Sequence, residues 1–352
     1  MDIKKILEEY DLDNLAITTV CSHSSLQIFN GARKEGFYTI GICIGSPPKF
    51  YDAFPLGKPD EFFPVKTYQD ISNHVKELRE KNAIIIPHGS FVEYMGAKEF
   101  ENLNLPTFGN RQVLEWESDR DKERVWLEGA GLKMPEVITN PKDITKPVIV
   151  KYHGAKGGKG FFIAKDYHEF KRKVDESQPY IIQVFVMGTR YYIHYFYSPF
   201  TSVGYPLKKG WLQLLSIDRR DETTIDEAHR LGSMAELEKI GIKPTFVVTG
   251  NIPMVIRESL LPKAFEMGEK IVNRSQDLFG GIIGPFCLET VVTEKLNFKV
   301  FEISARIVAG TNPYISGSPY ADLIQVGLST GQRIAQEIKT AIHKKRLLDI
   351  IT

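Results

Sequence analysis

A β-branched run, Pro147-Val-Ile-Val-Lys151, leads straight into Tyr-His-Gly-Ala-Lys-Gly-Gly-Lys-Gly at residues 152–160. A strand that ends on Lys151 can aim a fixed positive charge at an anion. Gly154, Gly157, Gly158 and Gly160 then let backbone amides approach that anion closely, and Lys159 adds a second charge. No Gly-Lys-Ser/Thr opens a helix here, so this is not a Walker A loop. No Gly-x-Gly-x-x-Gly precedes a helix, so it is not a dinucleotide fingerprint either. The composition suits a lid over the phosphates of ATP. Taken alone, it is equally compatible with a glycine-rich hairpin whose lysines are solvated.

A second element favours the anion reading. Gly284-Pro-Phe-Cys-Leu-Glu-Thr290 and Phe298-Lys-Val-Phe-Glu-Ile-Ser-Ala-Arg306 have the pattern of two paired strands, each with one carboxylate among apolar neighbours. Burying Glu289 or Glu302 as an anion is costly unless a cation accompanies it. Two such groups on facing strands form a hard-oxygen site suited to Mg²⁺ bridging nucleotide phosphates. The alternative is a solvated sheet face on which both acids are exposed alternates.

The 352 residues are enough for two or three lobes, and 42% hydrophobic with 25% charged is an ordinary globular balance. Lysine plus arginine (45) nearly cancels aspartate plus glutamate (44), so no global electrostatic footprint of a nucleic-acid or membrane-surface binder is present. The basic cluster Lys339, His343, Lys344, Lys345 and Arg346 is expected to complement the end of a helix rather than to bind nucleic acid. The first residues lack the apolar core of a signal peptide, and no segment reaches transmembrane length. Cys21, Cys43 and Cys287 are widely spaced and odd in number, which predicts reduced thiols and a cytoplasmic protein.

The N-terminal part alternates strand and helix: strands at Leu15 to Val20, Tyr38 to Ile44 and Ala83 to Pro87, with helices at Ser24 to Lys34 and Ile71 to Glu80. That is a parallel α/β pattern, in which ligands gather at the C-terminal strand edges. Those edges read Cys21-Ser-His-Ser-Ser25 and Pro87-His-Gly-Ser90, so His23 and Ser90 converge from separate strands as candidate anion or nucleotide contacts. For Ser22, Ser24 or Ser25, plain helix N-capping serves as well. A charged helix from Asp119 to Gly131 connects to a second lobe, which holds the glycine loop, a helix near Tyr167 to Ser177 and a strand from Tyr180 to Val186. A third lobe starts with the strand Tyr191 to Tyr197 and ends with a helix near Ser329 to His343. The stretch from Ser198 to Thr245 is polar and poorly periodic. The expected division is 1–118, 119–190 and 191–352.

In chain order, Arg120, Gly131-Leu-Lys-Met-Pro135, Val150-Lys151, the glycine loop, a strand leading to Gly188 and the acidic strands resemble the ATP-grasp superfamily. Over nearly the whole chain the resemblance is closer. Ser22-His23, Pro87-His-Gly-Ser-Phe91, Phe108-Gly-Asn-Arg111, Thr249-Gly-Asn-Ile-Pro253, Arg257-Glu-Ser259, Gly284-Pro-Phe-Cys287 and Gly310-Thr-Asn312 are similar to the formate-dependent synthetases of purine biosynthesis. That family makes formaminoimidazole carboxamide ribonucleotide (FAICAR) from the aminoimidazole compound (AICAR), formate and ATP. The resemblance implies an α/β fold of the ATP-grasp type, with an N-terminal Rossmann-like parallel sheet and two α+β lobes enclosing ATP. It implies an ADP-forming carbon-nitrogen ligase working through formyl phosphate, and a homo-oligomer, a hexamer being one form.

By the same resemblance, Glu289 and Glu302 hold Mg²⁺ or Mn²⁺. Arg120, Lys151, Gly157, Gly158, Lys159 and Glu222 contact ATP, and the adenine is read around Gln183, Phe185 and Val186. His23, Ser90 and Asn251 hold AICAR. Arg306 is the candidate for steadying formyl phosphate, the alternative being a salt bridge to Glu289 or Glu302. Three positions depart from the family pattern: Gln183 where an acidic residue is common, Ser304 where an asparagine follows the second metal glutamate, and Gln27 where a histidine is expected. These leave open a paralogue that ligates another carboxylate and amine, or a non-catalytic purine-nucleotide-binding homologue.

Overall fold

The computed structural model describes residues 2–22, 24–152, 160–232, 234–241, 245, 247–308 and 318–352. His23, Gly157, Gly158, Lys159 and the Gly310-Thr311-Asn312 motif therefore lie outside the described residues. Three sheets organise the rest. The first is parallel, in the order β3-β2-β1-β4, from β1 (Ala16–Val20), β2 (Tyr38–Ile44), β3 (Glu61–Val65) and β4 (Ala83–Ile85). β1 is buried throughout, as parallel strands covered by helices are. β3 escapes the sequence pattern because Pro64 interrupts it. An edge strand tolerates the missing donor.

A small antiparallel sheet, in the order β6-β5-β7, comprises β5 (Val148–Tyr152), β6 (Phe161–Ala164) and β7 (Tyr180–Val184). The third sheet is the largest: β8 (Thr189–Ser198), β9 (Tyr205–Pro206), β10 (Trp211–Glu222), β11 (Val248–Pro253), β12 (Gly284–Val292) and β13 (Phe298–Ser304). Its order is β11-β10-β8-β12-β13, with β9 paired to β10. The expectation of an irregular stretch from Ser198 to Thr245 is corrected by β10, twelve residues long. Its period-two alternation is hidden by a register shift between Leu214 and Ser216. Leu212 and Leu214 face the main core before the shift and Ile217 after it. Smaller corrections concern ends: β4 stops at Ile85, the helix expected from Ile71 is a 3₁₀ turn followed by an α-helix at Val75–Glu80, and the helix from Tyr167 ends at Lys173.

The N-terminal and central sheets are locked together by a close helix crossing. Helix Ser25–Lys34 lies against the C-terminal helix Thr330–His343, and glycine is required on both sides. A Cβ on Gly31 would sit 2.1 Å from the Gln332 nitrogen, and one on Gly331 would sit 2.2 Å from the Gln27 carbonyl oxygen. Gln27, buried at this crossing, accepts a hydrogen bond from the Gly331 amide at 3.3 Å. Its departure from the family's histidine is thus tied to helix packing. The chain end docks on the N-terminal sheet, where Thr352 and Thr107 exchange backbone hydrogen bonds at 2.9 Å. Arg111, buried beside them, donates to the Leu103, Leu105 and Thr352 carbonyls. From the basic C-terminal cluster, Lys339 donates to the Glu35 carbonyl at 3.0 Å and Arg346 pairs with Asp349. No described helix is long and apolar enough to cross a membrane.

The crossing makes a direct prediction. Gly331→Ala has nowhere to place its methyl except against backbone, so it should cost about 1–3 kcal/mol of stability, read as a lower midpoint in denaturant unfolding. An unchanged midpoint would contradict the packing.

Candidate active site

Register divides the central sheet into an apolar and a polar face. Ile193, Tyr195 and Tyr197 of β8 and Phe286 and Leu288 of β12 belong to the core under helix Leu261–Phe279, where the Tyr195 hydroxyl donates to the Ala264 carbonyl at 2.7 Å. The alternate residues, Tyr192, His194, Cys287 and Glu289, face the other way. Across the strands, Glu289 lies opposite both Glu302 and Tyr192, Tyr192 opposite Asp218, and Arg220 opposite Asn251. Partners in register share a face, so one polar stripe runs from Glu302 to Asn251.

Charges along the stripe are tightly matched. Arg220 Nη2 lies 2.9 Å from Glu289 Oε1, and its guanidinium sits 3.5 Å from the centre of the Tyr192 ring. Burial alone would lower the Arg220 pKa, but Glu289 and then Tyr192 outweigh it and raise it. Crowding by surrounding protein atoms, then the negative charge of Glu289, push the Glu302 carboxyl up to about 7 against Arg220 and Arg120. The same side chain remains open to water in the cleft, so the crowding comes from surrounding elements rather than from closure over the carboxylate.

Two acids that sequence reading missed hold the exit of β13. Glu123, on helix Arg120–Gly129, accepts a hydrogen bond from the Ile303 amide at 2.7 Å. Glu117, on helix Val113–Ser118, accepts from the Ala305 amide at 2.7 Å and from Arg306 Nη2 at 2.5 Å. Loss of water and the neighbouring Glu302 raise the Glu123 pKa; burial raises that of Glu117 against the pull of Arg306. Arg306 therefore does form a salt bridge, but with Glu117 and not with Glu289 or Glu302. Among the described residues, the buried Nε–H groups of Arg306 and Arg220 have no hydrogen-bond partner.

The small sheet places the upstream candidates. Val148, Val150 and Ile182 enter its own core, so Ile149 and Lys151, with their register partners Gln183 and Ile181, occupy the opposite face. Burial lowers the Lys151 pKa; Glu302 raises it, and Arg120 and Arg190 lower it again. Cations from four elements thus act on one space above the acidic pair: Arg120, Lys151, Arg190 and Arg220. Arg190 also lies 3.5 Å from Glu222, whose carboxyl burial raises. Phe185 donates its amide to the Pro147 carbonyl at 2.9 Å. Phe185, Val186, Met187, Gly188 and Lys299 line a cleft of about 580 Å³. Gly188 is obligatory, since a Cβ there would lie 2.2 Å from the Val292 carbonyl oxygen. Two other clefts, of about 490 and 620 Å³, hold none of the candidate residues.

At the N-terminal sheet edge, buried Ser90 donates its hydroxyl to Ser22 Oγ at 2.8 Å. Its amide donates to His88 Nδ1, which leaves His88 Nε2–H to donate to the Val20 carbonyl at 3.1 Å. Ser24 occupies the N-cap position at φ 69° without capping the helix. Its hydroxyl donates instead to the Val308 carbonyl at 3.0 Å. Ser25 pairs with the Tyr51 hydroxyl at 2.7 Å. A β-bridge joins His88 to Ile307. Five residues past Glu302, the chain is therefore bonded to the N-terminal sheet, with Arg306 at the junction.

Among the described residues, no three histidine, cysteine, aspartate or glutamate side chains converge as a metal cage. Glu289 and Glu302 nevertheless suit a hard divalent ion that takes its remaining oxygens from phosphates and water. After crowding by protein atoms, the charge of Glu289 is the next cause of the raised Glu302 carboxyl, and a cation held by both acids would relieve that repulsion.

Comparisons with known proteins place this geometry. Residues 170–352 match a family model described as "Domain of unknown function (DUF1297)", and residues 17–138 match one described as "Protein of unknown function (DUF1246)". The chain is 65% identical over 350 residues to 5-formaminoimidazole-4-carboxamide-1-(beta)-D-ribofuranosyl 5'-monophosphate synthetase 1 of Methanosarcina mazei, covering 99% of this chain and 98% of that protein. It is 46% identical to the synthetase of Pyrococcus abyssi, over 96% and 98% of the two chains. Its fold matches the crystal structure of an IMP biosynthesis protein PurP from Thermococcus kodakaraensis with a TM-score of 0.73 and 30% identity, over 96% and 100% of the two chains. The N5-carboxyaminoimidazole ribonucleotide synthetase of Thermotoga maritima shares the fold at a TM-score of 0.59 and 15% identity, over 93% and 76%. The chain belongs to the FAICAR synthetase (PurP) family and has its ATP-grasp fold.

Proposed function

We propose that this chain is an ATP-dependent ligase that formylates the amine of AICAR with formate, giving FAICAR in purine biosynthesis. Family membership at 65% identity supports the class of reaction. The observation that carries the mechanism is the run from Glu302 to Val308: it starts at the acidic pair, passes Arg306 and bonds to the loops holding Ser90 and Ser24. A phosphoryl donor at one end and an aminoimidazole nucleotide at the other would meet at Arg306.

In this reading Arg120, Lys151, Gly157, Gly158, Lys159 and Glu222 bind the triphosphate, and Gln183, Phe185 and Val186 border the adenine. His23, Ser90 and Asn251 hold AICAR. Residues 1–118 supply most of the AICAR pocket, 119–190 the cover over the phosphates, and 191–352 the acidic pair. Formate attacks the γ-phosphorus of ATP, releasing ADP and giving formyl phosphate. The amine then attacks the formyl carbon, phosphate leaves, and the amine loses a proton. Little acid-base chemistry is required, so positioning and charge neutralisation dominate. A divalent ion held by Glu289 and Glu302 would neutralise phosphate charge. Arg306, steadied by Glu117, directs its guanidinium at the acyl phosphate, and Arg220 keeps Glu289 in place. The protein is expected to work in the cytoplasm as a homo-oligomer.

The raised Glu302 carboxyl supports the metal assignment and fixes a sign. A carboxyl whose folded pKa, about 7, exceeds its unfolded value of about 4.3 stabilises the metal-free chain at low pH. That contribution disappears as pH rises through the folded value. Thermal unfolding of the metal-free chain should thus lose stability between about pH 4 and 7 by an amount that Glu302→Gln removes. Added Mg²⁺ should stabilise the wild type more at pH 8 than at pH 6. Equal stabilisation at both would count against the site.

The function is tested by ADP release with ATP, Mg²⁺, formate and AICAR, omitting one component at a time and following the imidazole product. Turnover should need all four; ADP release independent of AICAR would sink the reading. Arg306→Ala should lower kcat by about 10²–10³-fold with little change in the KM for ATP. A variant that keeps its kcat would remove Arg306 from the chemistry.

A further inference from the structure

Beneath Asn251 the polar stripe contains a pair that the reaction described above does not use. Asp218, on β10, is fully buried, and His194, on β8, is 6% exposed; the two side chains are in hydrogen-bond contact through His194 Nε2 and Asp218 Oδ1. The second carboxylate oxygen, Oδ2, receives the Asn251 side-chain amide at 2.9 Å. Cys287 Sγ lies 3.9 Å from His194 Nε2 and completes the surroundings. Asn251 itself is half-buried, with no hydrogen-bond partner for its Oδ1 among the described residues.

A carboxylate accepts hydrogen bonds and cannot donate them, so only the NH₂ end of the Asn251 amide can face Asp218. The carbonyl Oδ1 is thereby turned away from Asp218 and is an obligatory acceptor. We infer that Asp218, anchored by His194, is a positioning residue that sets the polarity of Asn251, so that the part of the nucleotide substrate meeting Asn251 is a hydrogen-bond donor. This rests on the assignment of Asn251 to the AICAR pocket. In AICAR the donors are the amine to be formylated, the neighbouring carboxamide NH₂ and the ribose hydroxyls. Asn251 would then discriminate against purine analogues that present a lone pair at that point, because a buried donor-acceptor mismatch costs more than a missing contact.

The arrangement permits a charge-conserving swap, Asp218→Asn combined with Asn251→Asp. In that double variant the new amide at position 218 still accepts from His194 through its carbonyl, and its NH₂ donates to the new carboxylate at position 251. The second oxygen of that carboxylate remains an acceptor for substrate. Asn251→Asp alone sets two carboxylates against each other, and Asp218→Asn alone frees the Asn251 amide to turn over. The experiment is steady-state kinetics of both single variants, the double variant and Asn251→Ala, with AICAR, ATP and formate varied in turn. Each single variant should raise the KM for AICAR about tenfold or more with the KM for ATP within about twofold, and the double variant should return to within about threefold of wild type.

Losses that add in the double variant, or that fall equally on ATP, would overturn the inference. Should Asp218→Asn fail to fold, Asn251→Asp still decides, since Asn251 is only half-buried. It should be at least as damaging as Asn251→Ala, and near-wild-type behaviour would refute the pairing. If the wild type shows no AICAR-dependent ADP release, the functional reading fails and takes the inference with it. Wild-type turnover combined with unaffected single variants rejects the inference alone.

Discussion

Two carboxylates placed opposite each other on β12 and β13 set the terms for everything near them. Glu289 is buried while Glu302, opposite it, is exposed, so the Glu289 charge in particular needs compensation within the fold. Arg220 supplies part of it through a direct bond to Glu289, and Arg120 acts on Glu302 from the connecting helix. The remaining cations, Lys151 and Arg190, are close enough to influence each other and face the same space. So many like charges around one space repel one another, and in the proposed reading an incoming polyphosphate with a divalent ion would neutralise both sets together. The Nε–H groups of Arg220 and Arg306, without a partner among the described residues, belong to the same pattern.

The fold keeps this cluster aligned with the N-terminal sheet by interactions remote from the chemistry. Gly31 and Gly331 let two helices cross at backbone contact, and Thr352 closes the chain against Thr107. Between those anchors, the bridge from His88 to Ile307 and the bond from Ser24 to Val308 connect the exit of β13 to the serine-bearing loops. Glu117 and Glu123 grip the same segment from the other side through its amides. Arg306 is therefore fixed by its neighbours' backbones as well as by its own salt bridge, a rigidity that would suit the role proposed for it toward an acyl phosphate.

Much of this was legible in the sequence where local pattern carries the information. Glu289 and Glu302 stood out as lone acids among β-branched and aromatic residues, and Lys151 as the charge ending a strand. The parallel pattern of the first sheet likewise followed from alternating apolar runs. What was hidden depends on long-range pairing. The bulge in β10 scrambled its alternation and concealed Asp218 and Arg220. Gln27 read as a site departure because its partner, Gly331, lies 304 residues away. Glu117 and Glu123 looked like ordinary helix acids, since the amides they accept come from another element. The signal that could have found them is a pair of acids six residues apart, directly ahead of the glycine-proline turn, next to Arg120.

In the proposed mechanism, formate is activated by phosphoryl transfer at the acidic pair before the amine attacks. The most direct measurement is turnover with formate labelled with ¹⁸O at both oxygens, followed by mass analysis of the released phosphate. If formyl phosphate forms, one formate oxygen becomes the bridging oxygen to phosphorus and leaves with phosphate when the amine displaces it, so inorganic phosphate should carry one ¹⁸O per turnover. Unlabelled phosphate alongside labelled FAICAR would show that ATP does not activate formate, and would contradict the account.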